Sequence, residues 1–391
     1  MSDSSDRATL GIEAALQATG PLTLHAVPAV CVDALDDAPM TMLMHQAWLA
    51  APGASNDTAR ALPDGNRGAI LVEATCTFAG RAWCVAIKGV GGRAPMYGNT
   101  PIGFAHGHDF EGTLHAAPLI HAITRESWMG ESPYGGQGIE NALHALALTR
   151  LAQTGVFEPA QFCPVFAVIE IPEAHVQRAL HYRAYEGRIV QEHRLVPSTV
   201  RLYHQSAIAL GRDCAHALSV LGVSTLPALE LFLDRFIATG LALLTIGSRH
   251  IRVEHGAFRF FDYDDAWLDK DAFIAPDGAI VFADLEALIE VDVTSTEALR
   301  ARIQRQVDRN AYELLYGIDA LLHAIEERRG ITLSARERRA QLAERITLAL
   351  TFDPVVRAEA RDEGLVLIIR PRFVGESARM EDVHLMFLAG R

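Results

Sequence analysis

Lysine is nearly missing from this chain. Of 35 basic residues among 391, only Lys88 and Lys270 are lysines. A lysine kept against that bias is a candidate for work arginine does poorly, such as offering a compact ammonium to phosphate oxygens. The bland alternative is chance survival on the surface. Other absences exclude whole classes. No run of about 18 apolar residues free of charge occurs, so no membrane span is expected. The polar, acidic start at residues 1–7 reads as neither a signal nor a transit peptide. Five scattered cysteines (Cys31, Cys76, Cys84, Cys163, Cys214) include no CxxC pair. That argues against a disulfide framework or a zinc finger and for a reducing compartment, with the cytoplasm expected. An excess of cations is lacking too. A net charge of −13 disfavours a nucleic-acid backbone or an anionic membrane as partner. ATP stays open, because a nucleotide pocket needs only a few local cations.

What is present divides the chain. Residues 1–20 read as a tail, 21–205 as a β-rich lobe, and 206–391 as a mainly helical lobe with an acidic island at 253–288. Runs 69–78 and 82–88, joined by a short turn with a glycine, predict a hairpin. From Gly89 to Gly138 there are 11 glycines, which predicts a long irregular segment of the kind that usually carries function. Periodicity predicts a helix over 139–153, strands over 164–171 and within 189–203, and helices over 206–222, 226–245, 296–328 and 334–349. One late strand is expected from residue 365. Strands first and helices second give an α+β class, in the order of a two-lobed protein-kinase-like fold. Other α+β proteins share that order.

Three groups of residues carry chemistry. Lys88 ends a strand and runs straight into Gly89, Gly91, Gly92 and Arg93. Such glycines let backbone N–H groups approach phosphate oxygens, and a lysine at the end of a third strand points at nucleotide phosphates in kinase-like folds. Glu140, near the start of the 139–153 helix, is the expected partner of Lys88; compensation of the helix dipole is its other reading. Asp284 and Glu286 follow a short buried strand, and Asp271 lies 13 residues before Asp284. Mg²⁺ takes one or two carboxylates plus phosphate oxygens and water, so these three are the expected metal ligands. Residues 262–271 hold five aspartates, which repel one another unless a cation neutralises them. Asp264 among them is the candidate base; a solvated loop or a Ca²⁺ site is the alternative. His255-Gly256 reads either as a brace for a catalytic loop or as a plain strand-to-turn pair. A rival set, His106 and His108 with Asp109, has the residue types of a zinc site without a supporting HExxH.

The run from Lys88 through Gly89, Gly91, Gly92 and Arg93 to Pro95 resembles the lysine-glycine-arginine-proline signature of the selenoprotein O family. Residues His193-Arg194 to Pro197-Ser198 and Arg201 resemble that family's arginine, proline-serine, arginine segment. The resemblance touches residues 82–286 in patches. It implies a kinase-like fold, ATP and Mg²⁺ as cofactors, and transfer of AMP to protein hydroxyls with the nucleotide bound in reverse orientation. It also implies that Arg194 and Arg201 lie at the nucleotide phosphates, that Gly138 and Glu140 open the lysine-pairing helix, and that His255-Gly256 and Asp284 match the catalytic loop and metal aspartate in order. The chain departs from the family after His255-Gly256, where Ala257-Phe-Arg-Phe stands in place of asparagines. Three functions follow as expectations: a Mg-ATP-dependent transferase of AMP or phosphate to a protein or small-molecule acceptor, an inactive pseudokinase that binds nucleotide or a partner protein, and a zinc-dependent hydrolase built on His106 and His108.

Overall fold

The computed structural model describes residues 60–61, 68–78, 81–88, 137–153, 161–170, 189–198, 200, 202, 210, 213–263, 272–283, 288–374 and 380–389. They form a mixed α and β structure, and no helix among them is long and apolar enough to cross a membrane.

The first sheet holds six strands: β1 (Arg60–Ala61), β2 (Gly68–Phe78), β3 (Arg81–Lys88), β4 (Gln137–Gly138), β5 (Val165–Glu170) and β6 (Ile189–Val196). The expected hairpin is β2–β3. β6 is central, antiparallel to β3 on one side and to β5 on the other. β4 carries on along the β3 side. Lys88 pairs with Glu192, and two residues further along β6 Gln137 pairs with Val190. Residues 89–136 therefore leave and rejoin the sheet at neighbouring positions. Helix α1 (Ile139–Gln153) starts directly after β4, and its Ala142, Ala145 and Leu146 share one core with Val165 and Val168 of β5.

The helices of the second half begin and end where local chemistry dictates. Asp213 caps α2 (Cys214–Val220), its carboxylate accepting from the His216 N–H at 2.9 Å. That cap starts the helix later than residue 206; positions 206–209 lie outside the described residues. Thr225 caps α3 (Leu226–Leu244), with Pro227 in the first turn. Ser295 caps α4 (Thr296–Arg329), which stops at Gly330 in the left-handed region. Ser334 and Glu337 form a reciprocal capping box on α5 (Ala335–Ala349). α3 is the hub, packed against both α4 and α5. Phe232, Leu233, Phe236 and Ile237 fill the core around it.

The second half also holds more sheet than its sequence suggests. β7 (Ile251–Glu254), β8 (Ala257–Tyr263), β11 (Leu288–Val293) and β14 (Phe373–Val374) form a four-stranded sheet in the order β11-β8-β7-β14. β9 (Ala272–Ile274) and β10 (Ile280–Phe282) form a separate hairpin. Instead of one late strand the described residues hold four: β14, and a three-stranded sheet of β12 (Val356–Arg361), β13 (Gly364–Ile369) and β15 (Val383–Ala389) with β13 in the middle. β13 is apolar and buried and shows itself by composition. β12 reads Val-Arg-Ala-Glu-Ala-Arg and is a strand because β13 pairs with it.

A buried polar seam joins the four-stranded sheet to α4. Asp262 accepts from Arg302 Nε, from Gln306 Nε2 at 3.1 Å and from the Tyr263 N–H at 2.9 Å. Gln306 in turn accepts from the Gly247 N–H at 3.1 Å. By sequence Asp262 belongs to the five acids of 262–271; the fold takes it out of that group by giving it the Arg302 guanidinium. Beside the seam, His250 is buried against Phe261 with ring centroids 6.0 Å apart. Burial first, then the charges of Arg252 and Arg372, pushes its pKa down from 6.5 to about 4. Arg252 is itself paired with Glu254 and Glu290. The unfolded chain takes up this proton before the folded one does. The His250 contribution is therefore complete above about pH 6.5 and is lost as pH falls towards about 4. Urea unfolding at about pH 5 should show a loss near 2 kcal/mol relative to neutral pH that His250→Phe lacks. An identical pH slope in that variant assigns the loss elsewhere.

Candidate functional site

Period-2 alternation puts Glu192 and Arg194 on one face of β6, and the structure pairs them. Arg194 Nη2 lies 2.5 Å from Glu192 Oε1, with Glu192 fully buried and Arg194 nearly so. The register partner of Arg194 on β3 is Ala86, a small residue that leaves room for the guanidinium; that of Glu192 is Lys88. Arg194 Nη1 donates to the Ala283 carbonyl, one residue before Asp284. A buried guanidinium thus joins the sheet that Lys88 ends to the strand that leads to Asp284.

The β9–β10 hairpin is sewn in from both sides. The Leu202 N–H donates to the Ala272 carbonyl at 3.0 Å and the Ile274 N–H to the Val200 carbonyl at 2.8 Å. Ser198 Oγ donates to the Ile274 carbonyl at 2.5 Å. On the opposite strand, the Cys163 N–H donates to the Phe282 carbonyl at 2.8 Å. Ala272 and Phe282 are register partners at the open end of the hairpin. Asp271 and Asp284, next along the chain at that end, lie outside the described residues. The turn at the other end docks on α3 and on the first sheet. The Ile280 N–H donates to Thr239 Oγ1 at 2.8 Å, and Arg81 reaches Asp277 at 3.0 Å.

Helix α1 is tied to the same region. His144 Nε2 donates to the Leu288 carbonyl at 2.8 Å, which identifies Nε2 as the protonated nitrogen, because a carbonyl only accepts. Thr149 Oγ1 accepts from the Val165 N–H at 3.0 Å and fixes α1 to β5. Glu140 lies one turn before His144 on α1, which follows β4 directly.

The sequence-derived residues fare differently. Lys88 is the last residue of β3 and Glu140 the second of α1, with β3 and β4 on the same side of β6. Arg194, expected at the phosphates, has its guanidinium engaged by Glu192 and Ala283, because its strand is the central one and its side chain lies inside the fold. His255-Gly256 is the exposed two-residue turn of the β7–β8 hairpin, with φ of 50° and 80°, so the plain turn reading holds and the catalytic-loop brace does not. Gly89, Gly91, Gly92, Arg93, Arg201, Asp264, Glu286, His106 and His108 lie outside the described residues, as does the tail at 1–20. Among the described residues, no group of three or more His, Cys, Asp or Glu is placed to hold a metal. Sequence reasoning missed Glu192 and His144. For Glu192 a signal existed: an acid two residues from an arginine, and so on the same face of a strand. For His144 there was none, since its partner is a backbone carbonyl 144 residues away.

No protein-family model, no curated protein and no solved structure matches this chain.

Proposed function

We propose that the chain is a Mg-ATP-dependent transferase of kinase-like architecture that moves AMP, or alternatively phosphate, onto a hydroxyl of a protein or small-molecule acceptor. The observation that carries this reading is the Arg194 link between the sheet bearing Lys88 and the strand running into Asp284. Kinase-like sites need a β3 lysine, a carboxylate from the next helix and a metal-binding aspartate after a short hairpin, all facing one cleft. The antiparallel sheet whose third strand ends at Lys88 and the β9–β10 hairpin are consistent with that plan. In this reading Lys88, with Arg201 and the backbone at Gly89, Gly91, Gly92 and Arg93, neutralises the phosphates. Asp271, Asp284 and Glu286 would hold Mg²⁺, which would offset the charge on the phosphate oxygens, and Asp264 would take the acceptor proton. For AMP transfer, the acceptor oxygen bonds to the α-phosphorus while the α–β bridge bond breaks and pyrophosphate leaves. For phosphate transfer, the γ-phosphorus is attacked and ADP leaves.

The test is incubation with Mg²⁺ and ATP labelled separately on the α- and γ-phosphates. Retained α-label is the expected result, with Lys88→Ala lowering it about a hundredfold. Retained γ-label makes the protein a kinase. A second reading, a pseudokinase that binds nucleotide without turnover, draws support from Ala257-Phe-Arg-Phe standing in place of asparagines after His255-Gly256, itself an exposed turn. ATP binding without transfer of either label selects it, and absence of ATP binding removes both readings.

A further inference from the structure

Burying a carboxylate completely is costly unless cations surround it. Glu192 is such a carboxylate, and Arg194 supplies one cation at 2.5 Å. A second cationic residue is built into the register: Lys88 stands directly opposite Glu192 on the neighbouring antiparallel strand. Directly opposite residues in such a pair have Cβ atoms about 5 Å apart, close enough for charges to couple. Glu140, the other acid near Lys88, sits in the first turn of α1, where the positive end of the helix dipole already balances it. A strand position in the middle of a sheet is also more rigid than a helix start. That rigidity is what holding an ammonium at one point requires.

From this geometry we infer that Glu192, and not Glu140, is the carboxylate that positions Lys88, and that Arg194 links this pair to the backbone in front of Asp284. Glu192 is then the centre of a buried relay. One side holds the lysine that the proposed function sets at the phosphates; the other, through Arg194 and the Ala283 carbonyl, holds the strand that delivers the metal-binding aspartate. Its catalytic meaning rests on the Mg-ATP reading, whereas the pairing itself does not. Glu192 touches no substrate and is a positioning residue.

The shortage of lysine makes the pairing directly measurable. Reductive methylation with an isotope-labelled reagent tags only Lys88, Lys270 and the terminal amine, and Lys270→Arg assigns the two lysine signals by NMR. With Glu192 beside it, the Lys88 amine holds its proton more tightly. Glu192→Gln is expected to lower the Lys88 titration midpoint by about one pH unit or more, and Glu140→Gln to leave it in place. A loss of packing alone does not move that midpoint in one variant and spare the other. Where Glu192→Gln alone does not fold, Glu192→Gln/Arg194→Met removes both charges of the buried pair and is read the same way against Arg194→Met. An unchanged midpoint without Glu192, or an equal or larger fall in Glu140→Gln, overturns the inference. No nucleotide is needed. Failure of the midpoint shift therefore leaves the ATP reading standing, and a shift in a protein that transfers no label leaves the pairing standing and removes the reading.

Discussion

Arg194→Met is expected to cost about 3–5 kcal/mol of folding stability, read as a lower urea midpoint. The methionine fills much of the volume, so the loss is electrostatic. Glu192 keeps a buried negative charge without its 2.5 Å partner, and the Ala283 carbonyl loses its donor. The lower figure applies where Lys88 shares the Glu192 charge. Replacing both members, as Glu192→Gln/Arg194→Met, is expected to recover most of the loss, because a buried amide costs far less to desolvate than an unpaired carboxylate. If the single variant is as stable as the parent, the pair is solvated and the interior link between sheet and hairpin does not hold. If the double variant is no better than the single one, volume rather than charge is what the site requires.

Gly278→Ala should be nearly as damaging, at about 3 kcal/mol, for a reason that has nothing to do with charge. Gly278 has φ of 87° in the β9–β10 turn, and a Cβ there would lie 2.2 Å from the Phe232 carbonyl oxygen and 2.8 Å from two more backbone atoms of α3. A helix backbone in the core does not retreat, so the turn must. Lifting it loosens the Thr239 and Arg81 contacts and shifts Ala283 at the far end of the hairpin. Label transfer should therefore fall together with the melting temperature. Gly256 separates strain from collision. It has φ of 80° with nothing within 4 Å of a built Cβ, so Gly256→Ala is expected to cost about 1 kcal/mol. Equal losses in the two variants would mean that the backbone conformation, and not the contact with α3, makes position 278 demand glycine.

Both residues show how far the chain can be read in advance. The turn at Asp277-Gly278 and the buried strand after it were legible, since a glycine beside a short apolar run marks a turn; the pairing with β9 was not. Nor was the contact of Gly278 with Phe232, 46 residues earlier. Arg194 stood out by resemblance to phosphate-binding arginines, but whether an arginine meets a phosphate or a buried glutamate depends on which strand lies beside it. The acids at 262–271 read as one repelling cluster, and Arg302 of α4 separates Asp262 from it. His255-Gly256 has the residues of a tight turn, and the positive φ values and two-residue spacing put it in one.

Local chemistry alone determined the mixed α and β class, the main helices from residue 226 onward with their Thr225, Ser295, Gly330 and Ser334 boundaries, and the β2–β3 hairpin. Each depends on side chains within a turn or two of one another, where propensity and capping act without reference to the rest of the chain. Tertiary structure decided the order of the first sheet, the opposition of Lys88 and Glu192, the burial of Arg194 and the strands β12 and β15 around β13. These depend on pairings between segments far apart in sequence. Which charge a buried group meets, and therefore what it does, is set by those pairings rather than by its neighbours along the chain.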